Sequence, residues 1–501
     1  MFDKPEVVTA DALVPRGRAY AGPLAHEWDE AAYAARFARV HDYIEAGDIY
    51  QANLSFRSRF AFAGDPLALY LKLRGRALAA HGAYIDDGRR QILSLSPEQF
   101  FEIDAKGRIT ARPMKGTAAR GCDELADARA KAALAASPKD RAENLMIVDL
   151  VRNDVGRLAL IGSVAVQDLF AVETYPTLHT MVSTVTAQMK PGTRVEQIVR
   201  ALFPCGSVTG APKIRAMEII RELEASPRGL YCGAIGYFAP DGSAKFNVAI
   251  RTITIEGGQG TLGIGGAVVQ DSTAASEYAE CLLKARYFSG ARESLGLIET
   301  LRYDGAFVRL ERHLKRMETS AQVFGLPFDR AAAMAALNDA VRGRTETLRV
   351  RLALDEAGAF ACTVAPLGTA AQRWSYAISP YPVLSGDVLL QHKTTWRDFY
   401  DAEQARLSGC DAVVFVNERG EITEGSRANL FIRRDGKLFT PPLSCGLLNG
   451  VLRQELVETG QCMEAALTPD DLATADEVLL GNSLRGLIRA EPAAESVRAT
   501  G

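Results

Sequence analysis

Apolar residues recur along the chain with two periods, and the switches between them lay out its elements. From Ala31 to Ala46 the stretch AAYAARFARVHDYIEA repeats at helical spacing and predicts a helix with Tyr33, Phe37, Val40 and Ile44 on one face. Alternating runs follow, and YQANLSFRSRFAF, QILSLSPEQFFEI and GRITARPM read as strands. A helical stretch over 123–134 leads to Ser137-Pro138-Lys139-Asp140, which has the shape of a capping box, and the helix it opens carries AENLMIVDLVRND. Helices are predicted over 194–202 and 211–224, the second with Ile214, Met217 and Ile220 as its buried stripe. GAIGYFAPDGSAKFNVAIRTITI predicts a hairpin turning at Asp241-Gly242, and a glycine-rich strand, TLGIGGAVV, precedes a helix from Ala274 to Phe288.

A short joint, SGARESLG, leads into LIETLRYDGAFVRL, read as a hairpin turning at Asp304-Gly305. Helices near 311–323 and 328–342, strands near 347–366 and 374–380, the strand DAVVFVN, the paired run ANLFIRRDGKLFTP and a helix from Gly450 to Val457 complete the pattern. The first thirty residues, rich in Pro, Gly and Ala, read as a loose leader. The expected organisation is α+β throughout: a leader over 1–30, one domain over 31–288, a joint over 289–296 and a second domain over 297–501.

Composition narrows the partners. With 48% hydrophobic and 24% charged residues the chain has apolar mass for large cores, which excludes wholesale disorder. Lys and Arg total 58 against 61 Asp and Glu, so there is no basic excess to hold a phosphate backbone, and no nucleic-acid partner is expected. Eight cysteines lie scattered with no C-x-x-C pair, as suits a reducing compartment. No apolar signal segment opens the chain and no run of 18 apolar residues occurs, so a cytoplasmic protein without a membrane span is expected.

Candidate chemistry is ambiguous residue by residue. Glu277 and Glu280 stand three apart on one helix, which is more often a solvated acidic face than a site. Glu143 lies at the front of an apolar helix. Carboxylates without His or Cys neighbours suit a hard ion such as Mg²⁺. In SVTGAPKIRAMEII, Gly210, Pro212 and Lys213 form either a carboxylate site at a helix N-terminus or simply a well-capped helix. Gly263, Gly265 and Gly266 permit close backbone approach to a ligand. Lys115, in RPMKGT, is a surface charge or, if buried beside other cations, a nucleophile. Further on, Lys393 follows an expected strand-to-loop transition at Leu389-Leu390, and Glu424 precedes a strand in ITEGSRANLF. GLLNGVLRQEL opens a helix at Gly450, and LLGNSLRGL offers Asn482 and Ser483 as donors. A Lys, an acid and two phosphate-type donor clusters are the parts pyridoxal phosphate (PLP) needs.

In this order the stretches GDIYQANLS, SLSPEQFF, RPMKGTAAR, ENLMIVDLVRNDVGRL, YPTLHTMVSTV, FPCGSVTGAPKIRAMEII, GAIGYF, FNVAIRTI, GIGGAVVQDS and EYAECLLKA resemble the chorismate-utilising family over residues 47–287. The resemblance implies that family's fold of large sheets with surrounding helices. It also implies that Glu143 and Glu280, with Glu277 nearby, hold Mg²⁺ against the substrate's C1 carboxylate. Tyr237, Arg251 and the glycine strand at Gly265 and Gly266 would hold the enolpyruvyl carboxylate, and Thr209, Gly210, Lys213 and His179 would line the same pocket. Gln51 stands where the water-adding members typically carry a Lys base, which implies ammonia as the nucleophile. Lys115 resembles the lysine of the aminodeoxychorismate synthases, attacking C2 while Glu98 protonates the departing 4-hydroxyl.

Thirty or so residues precede the first matching helix, fewer than the family usually carries, so an inhibitor pocket of the kind found there is not expected. There is no G-x-C-x-G nucleophile turn with a downstream His–Glu pair, so ammonia is expected from a separate glutamine amidotransferase subunit or from solution. LIETLR, HLKRMETSA, HKTTWRDFY, ITEGSRANLF, GLLNGVLR and LLGNSLRGL resemble the fold-type IV (class IV) aminotransferases over residues 297–490. That resemblance implies a two-subdomain α+β fold that binds PLP through Lys393 and dimerises through this domain. Glu424 would pair with the pyridine nitrogen, and Arg316, Val451, Leu452 and Ser483 would hold the phosphate. These motifs separate the family's aminotransferases poorly from its aminodeoxychorismate lyases. A synthase neighbour favours the lyase, and together the two halves are expected to make 4-aminobenzoate. The rivals are an anthranilate-type synthase fused to a true aminotransferase, and a degenerate chorismate-binding scaffold.

Overall fold

The computed structural model describes residue 9 and residues 12–175, 178–369 and 371–493. The chain divides into two compact units, one built from Pro23–Phe60 and Tyr70–Arg292, the other from Ala61–Leu69, Glu293 onward and the described residues up to Gly22.

The first unit carries two antiparallel sheets. One runs in the order Gln51–Gly64, Gln259–Val268, Thr252–Glu256, Arg90–Ser96, His81–Asp86. The other runs Ala234–Phe238, Ala244–Val248, Gln99–Ile103, Arg108–Ala111, Leu178–Gln188, Met114–Ala119, with Ala165–Thr174 also paired to Leu178–Gln188. Strand Gln51–Gly64 is buried along most of its length, so its apolar run serves both faces. The helix Glu30–Glu45 starts at Asp29, whose side chain accepts from the Ala32 N–H, and buries Tyr33, Phe37 and Val40. Ser137 caps the helix Pro138–Gly156 by accepting from the Asp140 N–H at 3.3 Å, and Ile147, Val148, Val151 and Val155 enter a core shared with Phe100, Phe101 and Val185.

The helix Lys213–Leu223 differs from its expected facing. Ile214 is 75% exposed and Met217 39%, while Ala216 and Ile219 are buried. The rotation follows from what precedes it. Gly210 and Ala211 pair with Ala52 and Gln51, and Lys213 turns inward to Asp154, so the next residue must face out.

In the second unit, Leu297–Tyr303, Leu348–Leu354 and Phe360–Pro366 form a three-stranded sheet. The expected hairpin at Asp304-Gly305 shrinks to a single bridge, Tyr303 to Phe307, because the strand's full-length partner is the distant Leu348–Leu354. Its core holds Leu301, Leu314, Met317, Phe324 and Leu352, together with Tyr20 and Ala63. The leader is therefore not loose over its described part. Ala19–Ala21 is a strand paired to Phe62–Gly64, and Tyr20, fully buried, meets Phe324 edge-on at 5.1 Å. Six of the remaining strands run Ile422–Gly425, Ala412–Val416, Arg373–Ile378, Gly486–Pro492, Glu477–Asn482, Ala428–Arg434, and Ile422–Gly425 pairs back onto Ala428–Arg434, closing a six-stranded barrel that Lys437–Thr440 and Met463–Glu464 extend beyond Ala428–Arg434. Before Lys393 the chain forms a 3₁₀ turn, Val388–Gln391, where a strand end was expected; Asp387 caps it by accepting from the Leu389 N–H.

Candidate active sites

In the first unit, Lys115 projects from the strand Met114–Ala119 into a ring of charge. Burial lowers its pKa; Glu143, Glu98 and Glu280 pull the other way, and Lys284 reinforces the drop. Glu98 sits in the two-residue link between Arg90–Ser96 and Gln99–Ile103, buried, with Ser207 Oγ donating to Oε1 at 2.8 Å. Burial pushes its carboxyl up to about 7 against the pull of Ser207 and Lys115, so near neutrality it is a usable proton donor. Glu143 comes from the helix Pro138–Gly156, and Glu277 and Glu280 from Ala274–Lys284. Ser272 Oγ donates to Glu277 at 2.7 Å, and burial raises that carboxyl. Burial also opposes ionisation of Glu280, but Lys284, 2.9 Å away, and Lys115 hold it below its ordinary value.

Among the described residues no three His, Cys, Asp or Glu side chains are arranged to hold a metal. The hard oxygen donors suit Mg²⁺, but the ammonium of Lys284 now occupies Glu280.

Among the described residues, the side chains of Gln51 and Arg251 have no hydrogen-bond or ion-pair partner. Gln51 is fully buried, and neither amide atom has a hydrogen-bond partner. Such a group costs about 1–3 kcal/mol unless a ligand satisfies it. The Arg251 guanidinium has no ion pair or hydrogen bond among the described residues; burial lowers its pKa, and Tyr287, whose buried hydroxyl is also unpartnered, opposes the drop. Both fit a polar or anionic ligand.

Other residues expected in this pocket are otherwise engaged. Lys213 gives its three N–H donors to Asp154 at 2.5 Å and to the Leu202 and Pro204 carbonyls, leaving none for a ligand. His179 is held between Asp127 at 3.0 Å and Thr174 at 3.0 Å. Thr209 donates to the Cys205 carbonyl. Tyr237 is 58% exposed on the end strand of its sheet. Gly210 is required by contact, since a Cβ there would sit 2.2 Å from the Gln51 carbonyl oxygen. In the glycine strand, Gly263 makes room for the Tyr231 ring and Gly265 for Ser55; Gly266 alone of the three opens toward the charge cluster, its missing Cβ facing Glu277 at 3.2 Å. Sequence reasoning missed Lys284, Ser207 and Tyr231. The first two lie inside quoted motifs, but nothing in their spacing marks them.

In the second unit a cavity of 570 Å³ holds Lys393, Glu424, Arg316, Ser483 and Val451 together. Among the described residues Lys393 Nζ donates only to Thr300 Oγ1, at 3.3 Å. Burial brings it down to about 8, with Arg316, Arg397 and Arg351 adding to the drop and Glu299 opposing it. Glu424, on a barrel strand, accepts from Tyr400 at 3.0 Å, and burial pushes it up to about 7. Arg316 grips Glu299 with two nitrogens at 2.8 and 2.7 Å and reaches the Asn449 carbonyl with the third. Burial works against the charge on Glu299, yet Arg316 and His313 hold it well below the usual carboxylate range.

Val451 opens the helix Val451–Glu458 after Gly450, where a Cβ would strike Asn429 Oδ1 at 1.8 Å. Leu452 packs into the core beside Phe431, so only its backbone N–H is free to serve a ligand. A lysine of lowered pKa, a buried acid with no salt bridge among the described residues, and a helix N-terminus beside Arg316 fit PLP. Glu299 and His313, unassigned from sequence, tie the Arg316 and Ser483 positions into one network.

A model of the family described as chorismate binding enzyme matches residues 4–290, more than half of the chain. The chain belongs to that family. A model of amino-transferase class IV matches residues 296–491. Within the family, the chain is 46% identical over 248 residues to the aminodeoxychorismate synthase component 1 of Escherichia coli strain K12, covering 50% of this chain and 54% of that one. It is 45% identical over 264 residues to an aminodeoxychorismate synthase of Streptomyces griseus, covering 53% of this chain and 36% of that one. The chain thus spans about half or less of these relatives. The structure of anthranilate synthase component I from Streptococcus pneumoniae is similar at 32% identity and a TM-score of 0.50, over 56% of this chain and 61% of that one. No described helix is long and apolar enough to cross a membrane.

Proposed function

We propose that the chain makes 4-aminobenzoate in two steps: amination of chorismate at C4, then elimination of pyruvate from aminodeoxychorismate. The observation that carries the reading is the pairing, within a chorismate-binding unit, of a half-buried Lys115 of lowered pKa with a buried Glu98 pushed up to about 7. A lysine shifted toward its neutral form can attack C2, and a protonated Glu98 can pass its proton to the departing 4-hydroxyl. Ammonia then enters at C4 and expels Lys115. Buried Gln51, with its amide unspent, would orient ammonia. Arg251 would receive a substrate carboxylate. Glu143, Glu277 and Glu280 would hold Mg²⁺ once the Lys284 ammonium gives up Glu280, and the ion's charge would steady the other carboxylate.

In the second unit Lys393 would carry PLP, with Glu424 facing its pyridine nitrogen and Arg316, Ser483 and the N–H groups of Val451 and Leu452 at its phosphate. Bound PLP supplies an electron sink. Lys393 Nζ, at about 8, is suited to take the proton from substrate C4. Arg349 and Arg351 line the same cavity from alternate positions of one strand, and neither has a partner among the described residues. Two free guanidiniums suit a substrate with two carboxylates, as aminodeoxychorismate is. Ammonia would come from a separate glutamine amidotransferase.

One assay tests the reading: purified protein, chorismate, Mg²⁺, an ammonium salt and PLP, with products separated by chromatography. 4-Aminobenzoate and pyruvate are expected. Anthranilate or salicylate in their place would overturn it.

A further inference from the structure

His313 is buried at the head of the PLP cavity, between two groups of different character. Its Nδ1 lies 2.5 Å from Glu299 Oε2, and its Nε2 lies 2.8 Å from Ser483 Oγ. Glu299 is gripped by two of the three guanidinium nitrogens of Arg316 and is therefore ionised, an acceptor only, so Nδ1 must carry a proton. In the neutral ring Nε2 is then an acceptor, and the Ser483 hydroxyl spends its single hydrogen on it. That leaves Ser483 facing the cavity with lone pairs alone, which repel a phosphate oxygen. A proton on Nε2 reverses the bond: the ring donates to Oγ, and the hydroxyl hydrogen is released toward the cavity.

We propose that His313 is a positioning residue of the phosphate cup, taking up a proton on Nε2 as a phosphate-class dianion enters and so turning the Ser483 hydroxyl from the ring to the anion. The proton comes from solvent, one N–H forms, and the O–H···N bond gives way to N–H···O. The proposal rests on the reading of this cavity as a PLP site. The groups facing the ring are Glu299 from the strand Leu297–Tyr303, Ser483 from the turn after Glu477–Asn482, Arg316 one turn along its own helix, and Lys393 across the cavity. Burial, Arg316 and Lys393 disfavour the charged ring when the cup holds no anion, and Glu299 opposes them. An entering dianion adds negative charge on the ring's Nε2 side, so binding should tighten as pH falls, by up to about tenfold per unit.

Sulfate is the probe, because it does not titrate near neutrality. The protein is the full chain with Lys393→Ala, which removes the other titrating group beside the cup and leaves PLP unattached. Calorimetry in two buffers of different ionisation heat, between pH 6.5 and 8, should show about one proton taken up per sulfate bound. Nitrogen NMR of the histidine rings should show His313 becoming doubly protonated. Adding His313→Gln should bring the uptake near zero. A His313 ring that stays neutral with sulfate bound would overturn the proposal, even if the glutamine variant fails to fold. Undiminished uptake in a folded variant would also overturn it, passing the proton to another group such as Glu424. Sulfate binding that survives Arg316→Gln, or that is absent from the Lys393→Ala protein, would instead remove the phosphate cup itself.

Discussion

Both sites pair a lysine of lowered pKa with a buried glutamate at about 7, yet they surround the lysine oppositely. Around Lys115 the neighbours are mostly carboxylates, Glu143, Glu98 and Glu280, with Lys284 on the other side. Around Lys393 they are mostly arginines, Arg316, Arg397 and Arg351, against Glu299 alone. Carboxylates hold an ammonium charged and arginines drive it neutral, so burial acts against its surroundings in the first site and with them in the second. On the proposed reading, the first site would gather cations around an anionic substrate, and the second would hold anions, a phosphate and two carboxylates, beside an amine.

Exchanging the two lysines for alanine should break the comparison most sharply. Lys115→Ala should remove aminodeoxychorismate formation while leaving pyruvate release from supplied aminodeoxychorismate intact. Lys393→Ala should do the reverse and abolish the absorbance of protein-bound PLP. Product chromatography and a visible spectrum check both, and a loss of both activities in either variant would join what we hold to be separate. Next in size, Glu98→Gln should slow amination by about 10²–10⁴-fold, the worth of a positioned proton donor. On the proposed reading Glu98 works protonated. With its pKa raised to about 7, its contribution to amination should be present below that value and lost as pH rises through it, and the variant should lack this alkaline limb. A pH–rate profile with the same alkaline limb in the variant would assign the proton elsewhere.

Smaller effects should separate the anion sites. Arg349→Ala or Arg351→Ala should each raise KM for aminodeoxychorismate by about 10–100-fold, the range for losing a charge-assisted hydrogen bond, with PLP still bound. An unchanged KM would leave these arginines as solvated surface. Smallest in activity, Tyr20→Ala should cost about 3–5 kcal/mol of the second unit's stability without altering KM, as for a large buried aromatic. Thermal unfolding measures it. A fragment starting near Ser289 lacks Tyr20 and Ala63, so it should be less stable than the full chain by at least that amount and show it as earlier unfolding.

Long motifs and strong periodicity were legible in the chain. The helix at Glu30–Glu45 forms where Tyr33, Phe37 and Val40 share a face, and the hairpin at Asp241-Gly242 pairs as its turn residues require. In the second unit the cavity gathers Lys393, Glu424, Arg316, Val451 and Ser483 from motifs 167 residues apart at the extremes, Arg316 to Ser483. Legibility failed where a residue's surroundings come from distant chain. Ile214 and Met217 satisfy a helical stripe, but the pairing of Ala211 with Gln51 turns that face outward. Lys213 looks like a ligand group until Asp154 and two carbonyls take its protons.

By itself the sequence determined the two families' elements, the order of the motifs and which residues have the chemistry to act, because propensity, turn geometry and side-chain type are local properties. Only the tertiary structure decided which of those residues are free to act. Among the described residues, buried Gln51 and half-buried Arg251 have no side-chain hydrogen-bond or ion-pair partner while His179 and Lys213 are spoken for, and that difference depends on neighbours brought in from distant parts of the chain. The states of Glu98, Glu424 and Lys393 follow the same rule, since desolvation and the charges around a group arise only when the chain is packed.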